Sequence, residues 1–187
     1  MPESRPVLLL MDFQHSIVER FSGSAVIEAA DRAVKAARAA GIPVIFVRVA
    51  FRPGYPEIAE SNATFSAVAA GAGDLYTESH PATQVHASLR PLEGEPVVIK
   101  RRVSAFTGSD LDVLLRGLRA GSLVLAGIST SGVVLSTLRQ AADLDYGLVV
   151  LSDACADADP EVHRVLTEKV FPRQAQVTTA DEWASML

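Results

Sequence analysis

The stretch Leu123–Gly147, LVLAGISTSGVVLSTLRQAADLDYG, decides the fold. An apolar run without alternation reads as a strand buried on both faces, and Ser122–Gly127 is assigned to one. Small residues from Gly127 to Gly132 follow, and then Val133–Tyr146 carries Val134, Leu138, Ala141 and Ala142 on one helical face, with Gly147 as the expected stop. A strand entering a helix through a turn of small residues is half of a β-α-β unit, so its counterparts should lie on either side.

They do. Pro6–Met11 is a short apolar run ending at Asp12. Ser24–Ala40 carries good helix formers with a small-residue face and Gly41 at the C-cap position, and Pro43–Val49 reads as the second strand. Pro96–Lys100 reads as the third strand, Asp110–Arg119 as a helix and Leu148–Asp153 as the fifth strand. Asp159-Pro160 opens a further helix in the preferred order of N-cap and first-turn proline. Gln176-Val177 is a short sixth strand, and Thr179 with Glu182 makes a capping box for a last helix. Repeated units of this kind require right-handed crossovers and helices on both faces of the sheet. The expected fold is therefore a Rossmann-like three-layer α/β/α arrangement with a mostly parallel six-stranded sheet, one domain over residues 1–187. The interval from about Ala50 to Glu95, rich in proline and glycine, reads as a long irregular and functional loop.

The totals exclude several classes of function. A net charge of −5 opposes nucleic-acid binding, which needs a concentrated basic face, and Lys100-Arg101-Arg102 is too short to supply one. No apolar run reaches the roughly 20 residues that span a bilayer, and Met1–Arg5 leads into a strand rather than a signal sequence. A lone cysteine, Cys155, forms no internal disulfide. The expectation is a cytoplasmic protein that contacts neither nucleic acid nor membrane.

Ligands of open parallel sheets bind beyond the carboxyl ends of the strands, where strand order reverses. Asp12 ends strand 1 with Gln14 two residues on, Lys100 ends strand 3, and the Gly127–Gly132 turn ends strand 4. A carboxylate beside an ammonium in a cleft shifts each group's protonation, as acid-base catalysis requires. Amides at the start of a helix can hold an anion. Taken singly, each of these residues also reads as a strand-end cap, a solvated loop residue or a tight connection.

Four segments, LLLMDFQ (8–14), VIKRRVSAFTGSDLDVLLR (98–116), LVLAGISTSGVVLSTLRQAAD (123–143) and VVLSDACAD (149–157), stand in an order and spacing that resemble the isochorismatase-like hydrolases, also called cysteine hydrolases. The resemblance implies that Asp12 is the acid or base and Lys100 its partner. In the amidase members a cysteine nucleophile lies three residues after the threonine of the turn, often with a cis peptide inside that turn. Counting from Thr130 gives Val133, which has no group to attack a carbonyl. Cys155, expected just after strand 5, reads as a small buried residue. Ser129, Thr130 and Ser131 would need an aimed base to substitute.

The branch that resembles this chain in keeping aspartate and lysine without the thiol is the isochorismatases, which hydrolyse a vinyl ether. Asp12 would be the acid there, Gln14 would hold water or a carboxyl group, and amides around Ser129, Thr130 and Gly132 would bind an anion. Phe13 and Phe106 would be apolar walls or core, and Arg52, Arg101 and Arg102 are candidates for a substrate carboxylate. The turn here lacks the aromatic and histidine residues expected of that branch. Two other readings stay open, a small-molecule binding protein without turnover and a hydrolase that activates water directly on an amide or ester. No cofactor is expected; the metal site that a resemblance to nicotinamidases would imply is not expected either, since their Asp-x-His pattern after strand 2 is absent here and His15, His80, His86 and His163 read as capping or surface residues. The resemblance implies a small-molecule substrate and a homo-oligomer, dimer or tetramer.

Overall fold

The computed structural model describes residues 5–21 and 24–187, so the reading of Met1–Ser4 lies outside the described residues. Six strands form one sheet, all neighbours parallel, in the order β3-β2-β1-β4-β5-β6. They are β1 (Arg5–Met11), β2 (Val44–Val49), β3 (Val97–Lys100), β4 (Ala120–Ile128), β5 (Gly147–Ala156) and β6 (Gln176–Thr178). The helices are α1 (His15–Val18), α2 (Ser24–Ala39), α3 (Ala63–Gly71), α4 (Leu111–Gly117), α5 (Leu135–Asp143), α6 (Pro160–Val165) and α7 (Ala180–Ala184). None of them is long and apolar enough to cross a membrane.

Alternate residues of each strand feed opposite layers, as a pleated backbone requires. Leu8, Leu10, Val44, Phe46, Val124 and Ala126 pack under α2 and α7, where Ala29, Ala30, Ala33 and Ala37 let α2 lie close. Val7, Leu9, Met11, Ile45, Val47, Leu123 and Leu125 pack against α4 and α5 through Leu111, Leu115, Leu138 and Ala141. The expected three-layer architecture is the observed one.

Several local expectations are corrected. Gly147 does not stop a helix but opens β5; α5 ends at Asp143, and Asp145 takes the left-handed conformation (φ 64°) that frees Gly147 to begin a strand. The helix after β4 starts earlier than Val133, through a wide π-type turn over Thr130–Val134. β5 runs three residues beyond Asp153, past a register shift against β4, so Cys155 lies within the strand, opposite Gly127, rather than after it. The long interval is not wholly irregular, because Asn62 caps α3 by accepting the Phe65 N–H at 3.1 Å. Other expectations hold at residue level. Gly41 (φ 68°) follows α2 with the Ile42 N–H donating to Ala37 O at 2.8 Å, and Thr179 with Glu182 forms the capping box.

Candidate active site

Strand order reverses between β1 and β4, and the two strands end side by side, with Met11 opposite Gly127. Gly127 is required by this approach: a Cβ there would meet Met11 O at 2.8 Å and Val134 Cγ2 at 3.2 Å. Beyond Met11 the chain turns through Asp12, whose φ of 61° is tolerated by aspartate better than by most side chains. The Asp12 N–H donates to Val47 O at 2.8 Å, which fixes the turn over the end of β2.

Lys100 ends β3, two strands from β1 and therefore roughly 10 Å away in the sheet. Its side chain reaches back to place Nζ 3.0 Å from Asp12 Oδ2 and donates to Arg102 O at 2.9 Å. Both side chains are withdrawn from solvent, 2% exposed for lysine and 7% for aspartate. Asp12 Oδ1 is buried and has no hydrogen-bond partner among the described residues. Burial raises the Asp12 carboxyl above the usual carboxylate range, and the Lys100 charge opposes that rise without cancelling it.

The pair borders a cavity of about 430 Å³. Its walls are largely apolar, with Ile17, Phe21, Val49, Phe65, Val103, Ile128 and Val133 among them, and Ser129, Gly132, Thr64 and Arg20 complete the lining. The Ile128–Ser129 peptide is cis. Gly132 is also needed for space, since a Cβ there would sit 2.7 Å from Ser129 Oγ. Val133, the position where the resembling amidases carry cysteine, is buried at the lining with an apolar side chain.

Of the residues singled out from sequence, Asp12, Lys100, Ser129, Gly132 and Val133 come together. The others are placed elsewhere. Gln14 is fully buried and its amide is committed, donating to Val49 O and Thr83 O at 2.9 Å each and accepting the Val49 N–H at 2.7 Å. It ties β2 to the loop instead of facing the cavity. Phe13 is core beneath α2, and Phe106 is core on the opposite face, stacked on Tyr146. Thr130 is buried with its hydroxyl 2.8 Å from His163 Nδ1. The turn amides are partly spent: Ser131 N–H donates to Asp157 at 2.7 Å, and Gly132 and Val134 N–H to Ser129 O at 3.2 Å.

The three arginines proposed for a substrate carboxylate fasten loops. Arg52 pairs with Glu57 at 2.7 Å, Arg101 with Glu57 and Glu78, and Arg102 donates to Glu57 O at 2.6 Å. His80 and His86 cap short helical turns through Nδ1. Among the described residues no three His, Cys, Asp or Glu side chains gather into a group able to hold a metal ion. Cys155 is buried, and burial pushes its thiol up to about 12. Sequence reasoning missed Arg20, Phe21, Thr64, Phe65 and Val103. They come from the α1 end, α3 and the segment after β3, and no residue pattern marks their convergence.

A model of the isochorismatase domain matches residues 6–182. The chain belongs to the isochorismatase family. Within it, the chain is 34% identical to the uncharacterized isochorismatase family protein YecD of Escherichia coli O157:H7, over 94% of this chain and 92% of the relative. It is 39% identical to the ureidoacrylate amidohydrolase RutB of Pseudomonas syringae pv. syringae, over 73% of this chain and 60% of that relative. The solved structure of N-carbamoylsarcosine amidase from Thermoplasma acidophilum superposes with a TM-score of 0.75 at 25% identity, over 95% and 97% of the two chains. The chain thus belongs to a family of isochorismatase-like hydrolases and shares its α/β sheet.

Proposed function

We propose that this family member hydrolyses a small, mostly apolar molecule by proton transfer at Asp12, with Lys100 fixing that side chain and with no covalent thiol intermediate. One observation carries the reading: Asp12 borders an apolar cavity with Oδ2 held by Lys100 and Oδ1 without a hydrogen-bond partner among the described residues. A free, buried carboxyl oxygen is where a proton can pass to or from a substrate. Val133 offers no nucleophile, and Cys155, with its thiol near 12, carries almost no thiolate at neutral pH.

The apolar walls favour the protonated form of Asp12, which suits vinyl-ether hydrolysis. Asp12 gives its proton to the terminal carbon of the C=C bond, and water adds to the resulting oxocarbenium carbon. The hemiketal then breaks into a ketone and an alcohol as the proton lost by water returns to Asp12. Isochorismate itself, with two carboxylates, is a poor match, because the lining offers only Arg20 beside a lysine already committed to Asp12.

The relatives named as amidases favour a second reading, in which ionised Asp12 is the base that activates water for attack on a C–N-bonded carbonyl. One experiment separates the readings. Wild type and Asp12→Asn are assayed against vinyl ethers, amides and esters over pH 5–9. Loss of about 10²- to 10⁴-fold in turnover by the variant, at unchanged circular dichroism, supports the acid-base role. Activity falling as pH rises marks the acid, and activity falling as pH drops marks the base. Turnover unaffected by the substitution rejects Asp12, and ligand-induced stabilisation without any turnover identifies a binding protein.

A further inference from the structure

Arg20 is the cation at this cavity that no local interaction consumes. It follows α1, is exposed, and lines the Asp12 cavity as well as two hollows beside it. Its Nη2 donates to the Tyr76 hydroxyl, which steadies the guanidinium without neutralising it. Arg20 takes part in none of the ion pairs among the described residues. Glu19, Asp153 and Asp157 border the adjoining hollows rather than the Asp12 cavity, and none of the three lies within ion-pair distance of Arg20.

The charge balance of the cavity follows. Lys100 is buried and committed to Asp12, Asp12 is the only carboxylate in the lining among the described residues, and Arg20 is therefore the one lining cation left free to meet an anion. In a chain of net charge −5 this is a local reversal of sign, and low-dielectric walls sharpen it. Arginine's planar fork matches a carboxylate in geometry as well as charge. We propose that Arg20, steadied by Tyr76, is the residue that selects the substrate: it takes the carboxylate of a singly anionic, otherwise apolar molecule whose remaining surface lies against Phe21, Phe65 and Val49. The inference rests on the reading of the Asp12 cavity as the substrate site, and it extends that reading from reaction type to substrate charge.

The test uses binding, so that it does not depend on turnover. Phenoxyacetate and its neutral isostere phenoxyacetamide are titrated calorimetrically into the full chain, wild type, Arg20→Met, Arg20→Lys and Tyr76→Phe. Wild type should prefer the carboxylate at least tenfold. Arg20→Met should weaken phenoxyacetate about tenfold while moving phenoxyacetamide less than twofold, Arg20→Lys should recover part of the loss, and Tyr76→Phe should show a smaller loss of the same sign. Equal affinity of wild type for the two probes, including no binding of either, overturns the proposal, as does an Arg20→Met variant that weakens both alike or neither. The position is exposed, so the variant should fold, and circular dichroism checks it. A charge preference that survives while Asp12→Asn leaves turnover intact would sink the acid-base mechanism and keep this inference; the converse pattern would do the reverse.

Discussion

Replacing Lys100 by methionine removes the ion pair to Asp12 Oδ2, while Oδ1 has no hydrogen-bond partner among the described residues, so the buried carboxyl loses its one charged partner. Breaking a buried pair by deleting one partner costs roughly 3–5 kcal/mol. For a chain of this size each kcal/mol moves the melting temperature by about 2–4 °C, so a fall of about 6–20 °C is expected near neutral pH. The loss should also depend on pH, with a definite sign. Burial already raises Asp12, and removing the opposing lysine raises it further. Between the unfolded value, about 3.9, and the higher folded value, the folded state holds the proton and the unfolded state does not. Stability therefore falls as pH rises through that window, and the deficit of Lys100→Met against wild type should be smaller at pH 5 than at pH 8. Urea titrations at both pH values measure it. The double variant Asp12→Asn/Lys100→Met, which carries no unpaired charge, should regain most of the loss. A deficit below about 1 kcal/mol at pH 8, or one that does not change with pH, would refute the account of a desolvated, mutually dependent pair.

Two further outcomes follow from packing and burial. Gly127→Ala places a Cβ 2.8 Å from Met11 O at the junction of β1 and β4, so a loss of roughly 1–3 kcal/mol is expected in thermal or denaturant unfolding. A variant as stable as wild type would mean that the two strand ends separate easily. Iodoacetamide at pH 7.5 should leave Cys155 unmodified in the folded protein and label it quickly in urea, read by intact mass, because the thiol is buried and held near 12. Rapid native labelling would show that the thiol is exposed or activated and would reopen its part in the chemistry.

What the sequence carried legibly was the part governed by local chemistry and periodicity. Unbroken apolar runs mark the strands of a sheet covered on both faces, and helix-forming segments between them leave little choice but parallel crossovers. Gly41 and the Thr179–Glu182 box mark helix ends because their conformational and hydrogen-bonding needs are met within a few residues. That Asp12, Lys100, Ser129, Gly132 and Val133 line one cavity follows in part from the same pattern, since each lies at the carboxyl end of a strand or in the turn beyond it, although Val133 is singled out by the family resemblance.

Tertiary structure decided which polar and charged residues remain available. Gln14 reads as a ligand group, but Val49 and Thr83 take its amide; Arg52, Arg101 and Arg102 read as an anion site, but the carboxylates of Glu57 and Glu78 pair with the first two and backbone carbonyls of Arg101 and Glu57 hold the third. Arg20 carries no sequence signal, yet it alone among the lining cations keeps its charge uncompensated among the described residues. The reason is physical: periodicity reports which side of an element faces a core, whereas a hydrogen bond such as Gln14 to Thr83, 69 positions apart, or an ion pair such as Arg101 to Glu78, 23 apart, depends on how loops meet. The sequence by itself determined the sheet, its layers and the position of Asp12 and Lys100 at two strand ends; only the folded chain brought the two side chains together and decided which charges were left free at the cavity.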